Sequence, residues 1–247
     1  LLKKFGEAFV PNPGGCRIGA RPIDRVVNGM KESGIDVDYD SESGYYCAKL
    51  NQLIKYHYSF NKPSHTGTEL LVLIGVMQSL QANFQQEIVI ENAALEPEID
   101  DLINFMNQGG AKIRRQGKNI LIGKTNKLAQ RQSYTIISDR NEIVTYASLA
   151  IANKSEIIVH TLPEKYIEVF LEKLRLVGGG VEQLQPGTFR FFYQGKLKPL
   201  DIETAVHPGF MTDWQPNWAI LMTQADGDSV IHERVFENRF AYVEELN

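Results

Sequence analysis

"PEIDDLINFMNQGGAKIRR", Pro97–Arg115, is the stretch on which the fold reading turns. Ile99, Leu102, Ile103 and Met106 recur at three- and four-residue steps, which predicts a helix with one buried face. Pro97 stands where a first helical turn needs no backbone N–H. Gly109-Gly110 then stops the helix, because glycine adopts the left-handed conformation that closes a helix at little cost. The polar–apolar alternation of "AKIRR" predicts a strand after it.

The same sentence is written twice more. Pro22 precedes an amphipathic stretch, then Gly34, then the alternating "IDVDYD". Pro163 precedes "EKYIEVFLEKLRLV", with Ile167, Phe170, Leu171 and Leu174 on one face, then Gly178-Gly179-Gly180 and "VEQL". The glycine stops fall roughly 70 residues apart, the signature of a repeated supersecondary unit. Between these helices lies a second, more apolar type: "SHTGTELLVLIGVMQSL", "NEIVTYASLAIA" and "TDWQPNWAILMTQA". Each is followed by a polar turn and an apolar strand: "QEIVIENA", "SEIIVHT" and "DSVIHERVFEN". The unit therefore reads β-α-β-α-β-β. Crossover helices between strands imply an α/β layout with the apolar helices buried. The polar "LAQRQSY", Leu128–Tyr134, interrupts the pattern and is expected to be a linker.

Composition narrows the function classes. The chain has 247 residues, 43% hydrophobic and 23% charged, with net charge −4. No Lys/Arg-rich block marks a nucleic-acid or membrane-surface binder. The apolar run around Leu70–Met77 is too short to span a bilayer. Cys16 and Cys47 have neither metal-ligand spacing nor a disulfide pattern, and with no signal peptide at the start the expected compartment is a reducing cytoplasm. The chain opens on "LLKKFG" without methionine and stops directly after an aromatic-rich segment, so a piece of something longer is expected.

Four stretches could carry chemistry. In "NPGGCRIGARPID", Asn12–Asp24, Cys16 sits in a glycine turn with Arg17 and Arg21 nearby. A cationic setting favours thiolate, so Cys16 is either reactive or a small hydrophobe in a tight corner. Arg21 offers a planar fork suited to phosphate and carboxylate, or is a solvated surface residue. "KPSHTGTE", Lys62–Glu69, contains a capping box of Thr66 and Glu69. The free N–H groups of such a helix start, with Lys62 beside them, favour an anion. "HPGFMTDWQ", His207–Gln215, puts Asp213 at a loop-to-helix junction, where it serves as a general base or where Thr212 or Asp213 is simply the N-cap. Trp214 and Trp218 are expected to pack. No P-loop, G-x-G-x-x-G, H-E-x-x-H or G-x-S-x-G motif is present.

In their order along the chain, "PGGCRIGARPID", "IENAALEPEIDDLINFMNQGGAKI", "SDRNE", "TAVHPGFMTDWQ" and "VFENRF" resemble the bacterial UDP-N-acetylglucosamine enolpyruvyl transferases. The resemblance runs over essentially the whole chain. The cysteine loop followed by G-A-R-P, with H-P-x-F-x-T-D downstream, is specific to them; the enolpyruvyl transferase of the shikimate pathway shares the fold type but is not expected to carry this loop. The resemblance implies a two-domain α/β fold, an inside-out α/β barrel of repeated β-α-β-α-β-β units, with domains 1–137 and 138–247. It implies transfer of the enolpyruvyl group of phosphoenolpyruvate to the 3-hydroxyl of UDP-N-acetylglucosamine, with no metal or organic cofactor and no nucleic-acid or membrane partner. Cys16 matches the loop thiol that delivers a proton and is alkylated by fosfomycin, Asp213 the base at the hydroxyl, and Arg21 an arginine facing phosphoenolpyruvate. Sugar-nucleotide contacts carry over to Arg21, Pro22, Ile23, Asp24 and Arg25, to Lys62, Pro63, Ser64 and His65, and to Asp213 and Val235. Arg25 departs from the pattern, standing where the family places an apolar residue against uracil. His65-Thr66 and "NEIVTY" replace "VG" and "IETGTF". The family's N-terminal Lys-Asn pair and two further arginines have no counterpart in these 247 residues, which are therefore expected to be inactive alone. Two other readings remain open: a non-catalytic UDP-sugar-binding paralogue, and an enolpyruvyl transferase with another acceptor.

Overall fold

The computed structural model describes residues 1–15, 18–20, 23–51, 57–129, 133–160 and 164–246. The chain divides into two compact units, Leu1–Cys16 with Arg21–Ile136, and Arg17–Ala20 with Ile137–Asn247.

The first unit contains α1 (Leu2–Phe5), β1 (Glu7–Pro11), α2 (Asp24–Glu32), β2 (Ile35–Asp40) and β3 (Tyr45–Leu50). It continues with β4 (His57–Ser59), α3 (His65–Ser79), β5 (Ile88–Glu91), α4 (Pro97–Gln108), β6 (Lys112–Gln116) and β7 (Asn119–Gly123). The run from β4 to β7 is the expected β-α-β-α-β-β unit. Its sheet has the order β4-β5-β7-β6, with β4 parallel to β5 and the rest antiparallel. The sheet β1-β3-β2 repeats the β5-β7-β6 arrangement.

The second unit holds α5 (Arg140–Ala152), β8 (Glu156–His160), α6 (Glu168–Leu176), β9 (Gly180–Gln185), β10 (Thr188–Phe192), β11 (Ile202–Glu203), α7 (Gln215–Met222) and β12 (Ile231–His232). Its sheet β8-β10-β9 has the same order again, and β11 runs parallel to β12 across α7 as β4 does to β5 across α3. Among the described residues only the middle copy of the unit is whole; in the copy that follows it no strand stands between β7 and α5. Two further expectations are corrected. The third amphipathic helix does not start at once after residue 163; Glu164–Tyr166 form a 3-10 turn, and α6 begins only beyond Ile167, which is fully buried and offers no side-chain cap. "DSVIHERVFEN" is a strand only at Ile231–His232, because the Glu233 carboxylate takes the next backbone N–H groups, of Val235 and Phe236, out of any ladder.

The glycine stops behave as their chemistry requires. Gly34, Gly110 and Gly178 have φ of 89°, 108° and 87°. At the end of α4 the Gly110 N–H donates to the Asn107 carbonyl and the Ala111 N–H to that of Met106, satisfying groups the helix leaves open. A side chain at 110 would meet two obstacles, the left-handed backbone and the Lys127 carbonyl 2.7 Å from the Cβ position. Gly110→Ala is therefore expected to destabilise the first unit by at least about 1–2 kcal/mol, read as a lower denaturant midpoint; an unchanged midpoint would contradict this account of the repeat.

The apolar helices bury one broad face each, while Leu73, Tyr146, Leu149 and Ile220 on them stay exposed. In α3, Leu71, Val72, Ile74 and Val76 are at most 5% exposed and pack against Ile88, Ile90, Ile120 and Ile122 of the sheet. Gly75 permits this approach, since a Cβ there would lie 2.5 Å from Ile122 Cδ1. The core of the second unit is aromatic. Phe170 and Phe210 set their rings edge-on to both Trp214 and Trp218, so the tryptophan pair packs as read from the sequence. No helix among the described residues is long and apolar enough to cross a membrane.

Candidate active site

Cys16, Arg21 and Pro22 lie outside the described residues. The remaining sequence-predicted positions fall into one group in each unit.

In the first unit, Ile23 is the N-cap of α2 and Asp24 its first helical residue, an acid at the positive end of the helix dipole. Arg25 is exposed, and its carbonyl accepts from the Tyr58 hydroxyl at 3.4 Å. Tyr58 is the middle residue of β4, the strand that precedes the Lys62–His65 segment, so this bond ties the start of α2 to the approach to α3. The cap of α3 is not the predicted capping box. Ser64, with extended backbone, is the N-cap and its hydroxyl accepts from the Gly67 N–H at 3.2 Å. Thr66 is thus already inside the helix, and Glu69 reaches back to His65 instead, 3.4 Å from Nε2. Spacing alone did not say which of two hydroxyl residues two positions apart would stop being helical. Lys62 and Pro63 are exposed and Ser64 and His65 partly so. Asn92, which the sequence reading passed over, holds the segment by donating to the Phe60 carbonyl at 2.7 Å. A lysine beside a helix start, with backbone N–H groups at hand, can receive an anion.

In the second unit, Asp213 lies in a 3-10 turn, Thr212–Trp214, that leads into α7. Neither Thr212 nor Asp213 caps α7 through its side chain; both side chains are used elsewhere. Asp213 Oδ1 accepts from Arg239 Nη2 at 2.9 Å, with the carboxylate 46% exposed and the arginine side chain only 13%. Thr212 Oγ1 donates to Glu233 Oε2 at 2.9 Å, and Glu233 Oε1 accepts from the Val235 N–H at 2.8 Å and the Phe236 N–H at 3.1 Å. Asp213 and Val235, predicted separately, are thereby brought into one hydrogen-bonded cluster. The described part of the opening loop also belongs here: the Ile18 carbonyl accepts from the Asn238 N–H at 3.0 Å, and a Cβ on Gly19 would collide with Glu237. Burial pushes the Tyr242 phenol up from its ordinary value, the positive charge of Arg239 acts against that rise, and the negative charge of Glu233 adds to it.

The same unit holds a buried cation at the start of α5. Arg140, the first residue of α5, is 1% exposed, and its Nη1 lies 2.9 Å from His207 Nδ1. A guanidinium only donates, so Nδ1 is the acceptor and carries no proton. The Trp214 indole N–H donates to Asn141 Oδ1 one residue on, fixing the turn of Asp213 to the start of α5.

The sequence reading missed Arg239, Glu233 and Arg140 as contributors. Arg239 and Arg140 stand in stretches already singled out, "VFENRF" and "SDRNE", so their position was visible but not their partners. Among the described residues no group of three His, Cys, Asp or Glu side chains could hold a metal ion. Chemically, the second-unit cluster presents an exposed carboxylate on a rigid turn beside a largely buried guanidinium: a proton acceptor next to a fixed positive charge.

The chain as a whole is similar to known proteins. The family model for EPSP synthase (3-phosphoshikimate 1-carboxyvinyltransferase) matches residues 2–247. The chain is 35% identical over 246 residues to the UDP-N-acetylglucosamine 1-carboxyvinyltransferase of Desulfovibrio desulfuricans, covering 100% of this chain and 57% of that protein. It is 39% identical over 252 residues to the enzyme of that name from Prochlorococcus marinus, again covering 100% of this chain and 53% of the relative. The chain thus spans little more than half the length of these relatives. Among solved structures, the enolpyruvyl transferase NikO from Streptomyces tendae superposes with a TM-score of 0.80 at 18% identity, over 99% of this chain and 57% of that one. An EPSP synthase from Acinetobacter baumannii superposes with a TM-score of 0.63 at 17% identity, over 91% and 51%. At that identity the likeness shows the fold, which is the α/β fold of the enolpyruvyl transferases.

Proposed function

We infer the function of this chain from its family: it belongs to the EPSP synthase (3-phosphoshikimate 1-carboxyvinyltransferase) family. The reading that fits best is a UDP-N-acetylglucosamine 1-carboxyvinyltransferase, moving the enolpyruvyl group of phosphoenolpyruvate to the sugar 3-hydroxyl with release of phosphate. The observation that carries it is the Asp213–Arg239 pair. An exposed carboxylate stands on the H-P-x-F-x-T-D turn, in a chain whose similarity to enzymes of that name runs from end to end.

In the proposed chemistry Asp213 accepts the proton of the 3-hydroxyl as its oxygen bonds to C2 of phosphoenolpyruvate. Cys16 delivers a proton to C3, which becomes a methyl group. The adduct then returns one methyl proton to the thiolate left on Cys16 as the C2–O bond to phosphate breaks, and phosphate leaves with the bonding pair. Arg21 holds the phosphoenolpyruvate anion with its planar fork. Pro22, Ile23, Asp24, Arg25, Lys62, Pro63, Ser64, His65 and Val235 contact the sugar nucleotide, with the Arg25 guanidinium stacking where an apolar side chain would meet uracil. The partners are these two small molecules. The reading also makes Cys16 the thiol that fosfomycin alkylates, and places the protein in the cytoplasm at the first committed step of peptidoglycan synthesis, upstream of cell shape and division.

The test is phosphate release from phosphoenolpyruvate by the full-length gene product. Release is expected to depend on UDP-N-acetylglucosamine and not on shikimate 3-phosphate. A protein that binds the UDP-sugar without releasing phosphate would be the non-catalytic paralogue, and one that responds only to shikimate 3-phosphate would have another acceptor; either result overturns the proposal.

A further inference from the structure

We propose that Glu233 is a positioning residue for the reaction, clamping the turn that carries Asp213 to the segment that carries Val235 and Arg239. The inference rests on the reading that Asp213 is the base at the sugar hydroxyl. The two segments are separated in the chain by α7 and β12, so the backbone between them does not set their spacing. The Glu233 carboxylate does. One oxygen takes the hydroxyl of Thr212, the neighbour of Asp213, and the other takes the N–H groups of Val235 and Phe236. Three donors on one partly buried carboxylate form charge-assisted bonds, stronger and better directed than neutral ones. The strand end behind the clamp is fixed as well: Thr204 Oγ1 accepts from the Arg234 N–H, and Ala205 bridges to Met211. Glu233 touches no reacting atom. It fixes where Asp213 and Arg239 stand relative to each other, and displacement of a reacting group by about 1 Å costs roughly 10²-fold in rate.

Glu233→Ala in the full-length protein is expected to lower kcat by about 10²-fold, with the KM for phosphoenolpyruvate changed by less than about twofold. Glu233→Gln should restore most of the rate: its amide oxygen still accepts from Val235 and Phe236, and its NH₂ can donate to Thr212 Oγ1. Thr212→Val removes one arm of the clamp and should lower kcat by itself. Combined with Glu233→Ala it should add nothing, because both changes break the same link. A Glu233→Ala protein that melts like wild type and turns over within about threefold of it would overturn the proposal. So would a Gln variant as slow as Ala, or additive losses in the double variant. Should Glu233→Ala fail to fold, Thr212→Val decides alone, and an unchanged kcat there rejects the clamp. A wild-type protein without UDP-N-acetylglucosamine-dependent phosphate release would instead reject the underlying reading of Asp213.

Discussion

Asp213→Asn and Asp213→Ala in the full-length protein are each expected to lose about 10²–10⁴-fold in UDP-N-acetylglucosamine-dependent phosphate release, the span that general-base catalysis contributes. The two variants separate the parts of the role. Asparagine keeps an oxygen that can accept from Arg239, so the turn and the arginine stay where they are, but an amide cannot take up the hydroxyl proton. Alanine removes the acceptor too and leaves a largely buried guanidinium without this partner. The rate loss should therefore be similar in both, whereas only Asp213→Ala should weaken sugar-nucleotide binding appreciably. Asp213→Asn, which keeps an acceptor for Arg239, should cost little stability. The carboxylate is nearly half exposed, and exposed ion pairs contribute about 0–1 kcal/mol, so the melting temperature of this variant should barely move. An Asp213→Asn protein within about tenfold of wild type would assign the proton to another acceptor.

Asp213 was visible in the sequence because its motif is contiguous; its environment was not. Arg239 meets it across 26 residues of chain, and Glu233 meets Thr212 across 21. No local rule pairs side chains at such distances, since the pairing is decided by how β11 and β12 flank α7. The fold divides in the same way. Gly34, Gly110 and Gly178 announced the helix ends because only glycine takes a left-handed backbone cheaply. The end of α5 has the same closure, with the Lys154 N–H on the Ile151 carbonyl and the Ser155 N–H on that of Ala150. There the left-handed residue is Lys154, at φ 54°, and a lysine gives no such signal. Period and turn chemistry thus carried the repeat wherever the local residue had one cheap conformation. Choices between near-equal local options, Ser64 against Thr66 as cap or a strand against a carboxylate for the N–H groups after His232, were made by contacts the sequence does not display.

The largest stability effect should come from Phe170→Ala, at about 3–5 kcal/mol. Phe170 is fully buried on α6, one of the residues whose spacing predicted that helix. Its ring centroid lies 6.0 Å from that of Trp214 and 6.5 Å from that of Trp218, both edge-on, an arrangement that adds to the simple burial of area. Truncation removes six ring carbons and leaves a void between two large rigid rings that cannot close over it, whereas Phe170→Leu keeps most of the volume and should cost less. The readout is favourable, because the two tryptophans of the sequence, Trp214 and Trp218, both lie in the second unit. Tryptophan fluorescence during denaturation therefore follows that unit alone. Phe105→Ala, at a half-exposed ring in the first unit, should leave the fluorescence transition in place. Trp214 adjoins Asp213 in the same turn, so the void also loosens the floor of the proposed base. At temperatures where Phe170→Ala remains folded, kcat should fall more than the small loss of folded protein explains. A Phe170→Ala midpoint within about 1 kcal/mol of wild type would mean that the rings do not pack as described.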